Sequence, residues 1–319
     1  MRAAVLDEHG ATPACGTFAE PSPDGDALVV NVAAAGLHHL DLLKATGRFY
    51  MGTAEPPFVV GTDGVGRLAD GRRVYFDTTA GPYGSMAERT LVPRAALFAV
   101  ADGLDDVTAA ALGNTGLGAW LALTFRAGLR PGETVLVLGA TGAFGTVAVQ
   151  AAKLLGAGRV VAAARPGERL EQLRERGADA LVELDSAPEL EAQLRAAAGG
   201  PVHVTLDTLW GEPGRAALAV AGRFARHLQV GHLAAPELTL PATAVRSASL
   251  DLRGFNVAHP PREIRGEGYL NLTRHAARGD IVVDVETHRL EDVAAAWERQ
   301  RAASGGSKLV LVPGEEPAP

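Results

Sequence analysis

The chain has 319 residues, of which 47% are hydrophobic and 21% charged, a composition typical of a globular protein with about two domains. Its net charge is −7 and no stretch is strongly basic, which argues against a nucleic-acid-binding surface. The single cysteine, Cys15, excludes an internal disulfide and a cysteine-rich metal cluster. No apolar run approaches the ~20 residues that cross a bilayer, and the N-terminus lacks a signal-peptide core. We therefore expect a cytoplasmic protein that binds neither membranes nor nucleic acid.

The first hundred residues are rich in predicted strands. Short apolar runs separated by Pro, Gly and Asp predict strands at Ala27–Ala34, Phe58–Gly61 and Arg73–Phe76. Over Val107–Arg126 the apolar spacing becomes that of one or two helices, with Gly113 and Gly116 as the expected break.

From residue 130 onward, strands alternate with helices. The predicted strands are Thr134–Leu138, Arg159–Ala164, Ala180–Leu184, Val202–Leu206 and His227–Val230. The predicted helices are Ala143–Leu155, Glu168–Arg176, Leu190–Ala198 and Pro213–Gly222. This alternation predicts a parallel sheet covered by helices on both faces. After Leu252 the alternation fades. The last predicted elements are helices at Gly268–Arg278 and Leu290–Arg301, a strand at Lys308–Val312 and a frayed tail at Gly314–Pro319.

A glycine-rich turn joins the first of these strands to the first helix. The turn reads Gly139-Ala140-Thr141-Gly142-Ala143-Phe144-Gly145, and this is where a dinucleotide pyrophosphate binds in a parallel sheet. Glycine lets the backbone approach phosphate, and the helix N-terminus offers free N–H groups and positive potential. The alternative is a tight turn whose glycines serve packing alone, but the strand–helix units downstream favour dinucleotide binding. The predicted cofactor contacts are Gly139, Thr141, Gly142, Ala143, Phe144 and Gly145.

The next strand indicates which dinucleotide is bound. It ends at Ala164 without the acidic residue that binds the ribose 2′-hydroxyl of NAD. Arg165 follows, and Arg169 lies four residues further on, which predicts that both share one face at the start of the next helix. Two guanidinium groups there can bind a 2′-phosphate, so the expected cofactor is NADPH. The alternative is two solvated arginines in an arginine-rich chain.

Four segments of the chain carry a family resemblance. They are Ala33–Asp41 with Gly47-Arg48-Phe49, Pro57–Gly66, Gly84–Glu88 and Gly139–Gly145. In this order they resemble the medium-chain dehydrogenases/reductases, and within them the zinc-independent quinone oxidoreductases. The resemblance implies an α/β protein with a GroES-like β-rich catalytic domain at residues 1–114 and 257–319 and a doubly wound parallel-sheet Rossmann domain at residues 115–256. It also implies a cleft for NADPH, a small-molecule carbonyl or quinone substrate, and a homodimer.

The chain departs from the zinc alcohol dehydrogenases of the same superfamily at two ligand positions. Their cysteine ligand corresponds to His38, and their histidine ligand corresponds to Thr62. His38 and His39 would point to opposite faces of an extended segment and are not expected to bind one ion. No metal site is predicted, although zinc bound by His38, Asp63 and a third ligand stays open.

His38 and Tyr50 are the predicted catalytic residues. The resemblance places His38 in the substrate cleft, where quinone oxidoreductases usually carry asparagine near the nicotinamide. Its imidazole can donate a hydrogen bond to a carbonyl or deliver a proton; the alternative is a packing histidine. Tyr50 lies one residue beyond Phe49, the position at which related enoyl-thioester reductases carry a tyrosine. The alternative for Tyr50 is an exposed loop aromatic.

Four more positions are predicted to contact or shape the cofactor site. The resemblance places Lys308 close to the cofactor and Arg169 at a basic contact for the 2′-phosphate, although a strand-edge charge would explain Lys308 equally well. Gly231, directly after the strand His227–Val230, is a further predicted cofactor contact. Gly118 stands where the family usually has threonine, and would leave room over the nicotinamide ring.

The sequence therefore predicts an NADPH-dependent reductase that transfers hydride to a quinone or an α,β-unsaturated carbonyl, with the cofactor supplying the difficult chemistry. One alternative is a zinc-dependent alcohol dehydrogenase, which the missing ligands disfavour. The other is a non-redox NADPH-binding sensor or biosynthetic scaffold, which the altered residues at positions 38 and 118 keep open.

Overall fold

The computed structural model describes residues 1–184, 189–302 and 306–314. The chain divides into two compact units, called here the first and the second unit. The first consists of Met1–Leu117, Arg262–Gly279 and Val283–Pro319, and the second of Gly118–Pro261 and Asp280–Val282. The predicted domain limits, 1–114 with 257–319 and 115–256, differ slightly from these units and stay a prediction. The predicted frayed tail beyond Gly314 lies outside the described residues.

Short strands dominate the N-terminal part of the chain. The strands are β1 (Arg2–Leu6), β2 (Ala14–Thr17), β3 (Ala27–Gly36), β4 (Phe58–Val59), β5 (Gly64–Arg67), β6 (Arg73–Phe76), β7 (Arg89–Pro93) and β8 (Leu97–Phe98). The helices are α1 (His39–Ala45), α2 (Asp106–Ala111) and α3 (Asn114–Leu121), and a π-helical stretch, Ala122–Ala127, follows α3. The predicted helix break falls at Gly113, whereas Gly116 lies inside α3.

The second unit is built on a six-stranded sheet whose strands all run parallel. The strands are β9 (Thr134–Leu138), β10 (Arg159–Ala164), β11 (Ala180–Glu183), β12 (Val202–Asp207), β13 (Ala221–Gln229) and β14 (Asp251–Gly254). The helices are α4 (Ala143–Leu154), α5 (Glu168–Gln172), α6 (Leu190–Ala198), α7 (Gly211–Ala219) and α8 (Ala242–Ala248). Every residue of β9 is buried, as expected of a central strand covered on both faces. The predicted doubly wound parallel sheet is confirmed.

The predicted helix Pro213–Gly222 and the predicted strand His227–Val230 are wrong at their ends. The predicted helix Pro213–Gly222 overlaps β13, because α7 ends at Ala219 and the strand begins at Ala221. The first four residues of β13 are half-buried or exposed and include Arg223, so they form no continuous or alternating apolar pattern. They are held in the strand by pairing of Ala221 with Val202 of β12, a contact that the local pattern does not show.

The C-terminal segment returns to the first unit. Its elements are α9 (Arg262–Ala277), β15 (Val285–Arg289), α10 (Val293–Arg301) and β16 (Lys308–Val312). The larger sheet of the first unit has the order β15-β16-β3-β5-β6-β8, with β7 also paired to β3. Strand β16 is antiparallel to the end of β3, with Leu311 opposite Ala35 and Val310 opposite Gly36. This pairing brings Lys308 beside the residues that follow β3.

Apolar side chains from both ends of the chain form the core of the first unit. Leu6, Val30 and Phe58 are buried in one cluster with Trp297 of α10 and Leu311 of β16. Burial of such side chains contributes about 1.5–3 kcal/mol each, so the C-terminal segment is an integral part of this unit. In the described residues no helix combines the length and the apolar composition that crossing a membrane requires.

Candidate active site

The strand order of the second unit defines one edge at which a ligand is expected. From β9 the chain first adds β10 and β11 on one side, and then adds β12, β13 and β14 on the other. The direction therefore reverses between β9 and β12. In parallel sheets of this kind, ligands bind at the carboxyl ends of the two strands that flank the reversal.

The glycine-rich turn lies at the carboxyl end of β9. Gly139 has a φ of +78°, and a Cβ there would lie 2.2 Å from Thr208 Oγ1. A Cβ at Gly145 would lie 2.4 Å from the carbonyl oxygen of Gly139. These two glycines are thus required by the packing of the turn itself. At Gly142 a Cβ would approach the Gly139 carbonyl oxygen no closer than 3.5 Å, so packing alone does not require glycine there.

Four consecutive residues between those two glycines are accessible. Thr141, Gly142, Ala143 and Phe144 are all half-buried, and Gly142 is the residue that precedes the first turn of α4. The first N–H groups of a helix have no acceptor within the helix and carry a positive partial charge. The predicted contacts therefore form a continuous accessible segment at a helix N-terminus, which is suited to an anionic group.

A second turn at the same edge was not predicted from the sequence. Asp207, at the end of β12, accepts hydrogen bonds from the backbone N–H groups of Leu209 and Trp210, both at 2.8 Å. Its other oxygen lies 3.0 Å from Nε2 of His227. Gly231 lies against this turn, because its N–H donates to the Asp207 carbonyl oxygen at 3.2 Å. The sequence signal that would have identified this turn is an acidic residue at the carboxyl end of an apolar strand.

The two predicted phosphate-binding arginines are not placed as expected. Arg165 is exposed and follows β10, but α5 begins only at Glu168. Arg165 therefore lies before the helix and Arg169 within it, and the prediction that they share a helix face is wrong. The intervening Gly167 has a φ of +146°, and this turn delays the helix. Binding of a 2′-phosphate by these arginines stays a prediction.

In the first unit, His38 is the centre of a buried polar network. It follows β3 and immediately precedes α1, and it is 5% exposed. Its imidazole Nε2 lies 2.6 Å from Asp63 Oδ1. Its Nδ1 lies 2.8 Å from Lys308 Nζ and 3.0 Å from Thr115 Oγ1. Both ring nitrogens of His38 are thus engaged within this unit.

Asp63 determines which nitrogen of His38 carries the proton. Its second oxygen accepts hydrogen bonds from the Asn114 backbone N–H at 2.6 Å and from the Tyr75 hydroxyl at 3.1 Å. Burial by itself raises the pKa of Asp63, but its contacts with His38, together with the charge of Lys308 and the Asn114 hydrogen bond, outweigh it and the pKa is lowered. Asp63 is therefore a carboxylate, an acceptor only, and His38 donates to it from Nε2. Nδ1 is left as the acceptor of the neutral ring.

Lys308 supplies the positive charge that faces Asp63. It is the first residue of β16 and is 4% exposed. Its ammonium donates to the Leu37 carbonyl oxygen at 2.5 Å as well as approaching Nδ1 of His38. Burial lowers the pKa of Lys308 to about 8, partly offset by the charges of Asp63 and Asp41. An amine with this pKa exchanges its proton near neutral pH.

A second set of polar contacts holds the backbone of His38. The His38 N–H donates to Asp41 Oδ2 at 2.8 Å, and the Thr62 hydroxyl donates to Asp41 Oδ1 at 2.6 Å. The Lys44 ammonium in turn donates to Thr62 at 3.0 Å. Thr62, which stands at a zinc-ligand position of related enzymes, thus serves to fix α1 relative to Asp63. No group of three or more His, Cys, Asp or Glu side chains in the described residues is arranged to hold a metal ion.

Two glycines leave room for this network. A Cβ at Gly113 would lie 2.2 Å from Asp63 Oδ2, and a Cβ at Gly36 would lie 2.9 Å from His38 Nε2. Both distances are far below an ordinary contact, so any side chain would displace Asp63 or His38.

The remaining predicted site residues lie outside the network. Tyr50 is 75% exposed, and its ring lies against Phe49 with the centroids 4.7 Å apart. His39 is exposed on α1, whereas His38 is buried. A Cβ at Gly118 would meet Phe144 only at 3.5 Å, so a small side chain fits at that position. The structure thus joins His38 to Lys308, which was predicted as a cofactor contact, and adds Thr115 and Tyr75, which no sequence signal identified.

Comparison with known proteins agrees with this architecture. The family described as "Zinc-binding dehydrogenase" matches residues 143–270. The quinone oxidoreductase of Thermus thermophilus, whose structure is also known in complex with NADPH, is 30% identical, with a TM-score of 0.82. That similarity covers 98% of this chain and 100% of the other.

Two curated relatives match over smaller shares of their own length. A probable NADPH-dependent quinone reductase of Emericella nidulans is 32% identical over 233 residues, which are 67% of this chain and 63% of that protein. A subunit of the phenolphthiocerol/phthiocerol polyketide synthase of Mycobacterium tuberculosis is 31% identical over 300 residues. Those residues are 91% of this chain but only 14% of the synthase subunit. The chain thus spans less than two thirds of either relative.

A β-rich unit formed from both chain ends, together with a doubly wound parallel sheet, is the architecture of the medium-chain dehydrogenases/reductases. Within that superfamily, the chain belongs to the quinone oxidoreductases. The predicted fold and family are confirmed.

Proposed function

We propose that the protein is an NADPH-dependent reductase that transfers hydride to a quinone or an α,β-unsaturated carbonyl. The observation that carries this proposal is the buried network of Asp63, His38 and Lys308, which combines a fixed carboxylate with an exchangeable proton. The full-length similarity to a quinone oxidoreductase known in complex with NADPH supports the cofactor. When bound, NADPH supplies the hydride.

The residues at the carboxyl edge of the second unit fit such a cofactor. We assign the pyrophosphate to the accessible segment Thr141–Phe144, where the N–H groups of α4 have no helical acceptor. Gly139, Gly145 and Gly231 keep the backbone of this edge close-packed. Arg165 and Arg169 remain our proposed contacts to the 2′-phosphate. We assign Lys308 to the polar network instead of the cofactor, because its ammonium already binds Leu37 and His38.

In this reaction the polar network stabilises and neutralises the negative charge that forms on the acceptor. Hydride transfer to a conjugated carbonyl leaves negative charge on the acceptor, which a nearby positive charge stabilises and a proton neutralises. Lys308 supplies the charge, and Asp63 holds the imidazole of His38 in one tautomer. We therefore propose that His38 acts through this network. Tyr50, exposed as it is, stays a second candidate acid.

We also propose that the reaction does not require zinc. His38 Nε2 is used by the Asp63 carboxylate, and catalytic zinc sites need three protein ligands. Among the described residues no third such ligand accompanies this pair. The experiment is elemental analysis of protein purified without chelator, which is expected to contain well below one zinc per chain. Stoichiometric zinc, with activity lost on chelation, would instead establish a zinc-dependent dehydrogenase.

We propose further that the protein is a cytoplasmic homodimer. Strand β14 is the outer strand of the parallel sheet, and Leu252 on it is 42% exposed. An open strand edge can pair with the same edge of a second copy. Light scattering at micromolar concentration is expected to give twice the mass of one chain, and the mass of a single chain would refute the dimer.

NADPH oxidation tests the reductase activity directly. Purified protein is mixed with NADPH and, in turn, a benzoquinone, a small enone and an enoyl thioester. Consumption of NADPH with at least one acceptor, and little with NADH, is the expected result. NADPH binding without oxidation in the presence of any acceptor would show a non-redox NADPH-binding protein and refute the proposal.

A further inference from the structure

The buried network has one end that is accessible. Asp63, Tyr75, His38 and Lys308 are all at most 5% exposed, whereas Thr115 is half-buried. Thr115 lies in the first turn of α3, next to Asn114, whose N–H binds Asp63. Its hydroxyl lies 3.0 Å from Nδ1 of His38. Of these five residues, Thr115 is therefore the one most accessible to a group outside the network.

His38 itself is unsuited to direct contact with an acceptor. Its Nε2–H is donated to Asp63, and its Nδ1 faces Lys308 and Thr115. A hydroxyl, by contrast, can donate one proton while it accepts another. Thr115 can therefore donate a proton to the acceptor while it accepts one from the network, which His38 cannot do at this position.

We propose that the Thr115 hydroxyl donates the proton to the reduced acceptor, and that Lys308 replaces that proton through Nδ1 of His38. This inference rests on the proposed reductase function. In this step the Thr115 O–H bond breaks and an O–H or C–H bond forms on the acceptor anion. Nδ1 first takes a proton from the Lys308 ammonium, and the resulting imidazolium, held by the Asp63 carboxylate at Nε2, then passes its Nδ1 proton to the Thr115 oxygen. The only electron pair transferred between molecules is that of the hydride, and water later reprotonates the neutral Lys308 amine.

The surroundings of Nδ1 make this direction of transfer reasonable. Asp63 keeps a proton on Nε2, so Nδ1 is the nitrogen that exchanges. The charged and titratable groups that act on Lys308 are Asp63, Asp41, His38 and His39. The pKa of about 8 lies close to neutral pH, where a general acid is most effective.

The test compares Thr115→Val with Thr115→Ser. Valine has the shape of threonine without its hydroxyl, and serine keeps the hydroxyl. We expect Thr115→Val to lower kcat about ten- to hundredfold while the KM for NADPH stays the same, and Thr115→Ser to restore most of the turnover. Thr46→Val, which removes an exposed hydroxyl bonded to the Leu43 carbonyl oxygen, is the matched control. A kcat of Thr115→Val within about twofold of wild type, or an equal loss in Thr115→Ser, would overturn the donor role.

The pH profile tests the supply of the proton. In wild type, kcat is expected to fall above about pH 8, as Lys308 loses its proton. Lys308→Met is expected to remove that limb of the profile, which a merely structural role would not do. If the pH profile of Lys308→Met is the same as that of wild type, Lys308 does not replace the proton of Thr115, and this relay of protons from Lys308 to Thr115 is overturned.

A measurement without turnover separates this inference from the proposed function. In protein labelled with ¹⁵N-histidine, NMR is expected to show His38 protonated at Nε2, with an Nδ1 signal that shifts as Lys308 titrates and is altered in Lys308→Met. If wild type reduces no acceptor, the reductase function and the donor role of Thr115 both fail, whatever the NMR result. If acceptors are reduced but Nδ1 is insensitive to Lys308, the relay alone fails.

Discussion

Lys308 and His38 are separated by 270 residues in the chain, yet Lys308 Nζ lies 2.8 Å from Nδ1 of His38. The contact exists because β16 pairs with the end of β3, which places the ammonium beside Nδ1 of the imidazole. It links the two ends of the chain to the carboxylate of Asp63, 2.6 Å from the other side of the same ring. A structural pairing of strands thus creates the polar network of the first unit.

Removal of the imidazole is expected to cost stability as well as turnover. His38→Ala leaves the fully buried carboxylate of Asp63 without its main hydrogen-bond partner, and a buried group left without such a partner costs about 1–3 kcal/mol, and more when the group is charged. Urea unfolding measures the loss. Asp70→Asn is the control, because its partner Arg72 is exposed and such pairs contribute at most about 1 kcal/mol. Equal stabilities of His38→Ala and wild type would mean that Asp63 is not charged in the folded protein.

The buried lysine is expected to make stability depend on pH. Because burial lowers the pKa of Lys308 from 10.5 to about 8, the unfolded chain binds more protons than the folded chain between those values. The free energy of unfolding therefore rises with pH in that window. Relative to Lys308→Met, wild type is expected to gain about 3 kcal/mol between pH 8 and pH 10.5. Parallel curves of unfolding free energy against pH for the two proteins would contradict this.

A methyl group at position 113 is expected to disrupt the network. In Gly113→Ala the new Cβ would lie 2.2 Å from Asp63 Oδ2 and 2.9 Å from the ring of Tyr75, and such overpacking costs about 1–3 kcal/mol. Gly118→Ala is the matched control in α3. Its Cβ would make only an ordinary contact of 3.5 Å, and alanine stabilises a helix interior by up to about 1 kcal/mol over glycine. Thermal unfolding of the two variants is expected to shift in opposite directions, and an unchanged or raised Tm of Gly113→Ala would refute the close packing.

The two arginines beside β10 are expected to set the cofactor preference. Each charge-assisted bond to a 2′-phosphate contributes about 1.5–3 kcal/mol before discounting for exposure, so both together give a preference of about a hundredfold for NADPH over NADH. The double variant Arg165→Ala, Arg169→Ala is expected to lose most of it through weaker NADPH binding. Fluorescence titration with both cofactors measures the effect. Arg174→Ala, which removes an exposed arginine paired with Glu171, is the control. Unchanged selectivity in the double variant would leave the arginines as surface charges.

Local sequence determined most of the second unit. Strands β9 and β10 have the predicted ends, as does β16 of the first unit, because each contains an uninterrupted run of four or five apolar residues that is almost entirely buried. The glycines at 139 and 145 were identifiable for a similar reason, since the turn has no space for a Cβ there. In such elements the information that fixes the conformation lies within a few neighbouring residues. Arg165 shows the limit of this, because one turn at Gly167 was enough to remove it from the helix.

Only the tertiary structure decided the composition of the polar network. His38, Asp63, Thr115 and Lys308 belong to different elements, and their spacing along the chain carries no periodicity that would relate them. They meet because β16 pairs with β3 and because α3 begins beside Asp63. The lowered pKa of Lys308 follows from that burial and not from its neighbours in sequence. The sequence by itself determined the fold and the family, because their signals are local and are repeated along the chain. The chemistry of His38 depends instead on long-range strand pairing, which brings charged groups together in a buried region of low dielectric constant.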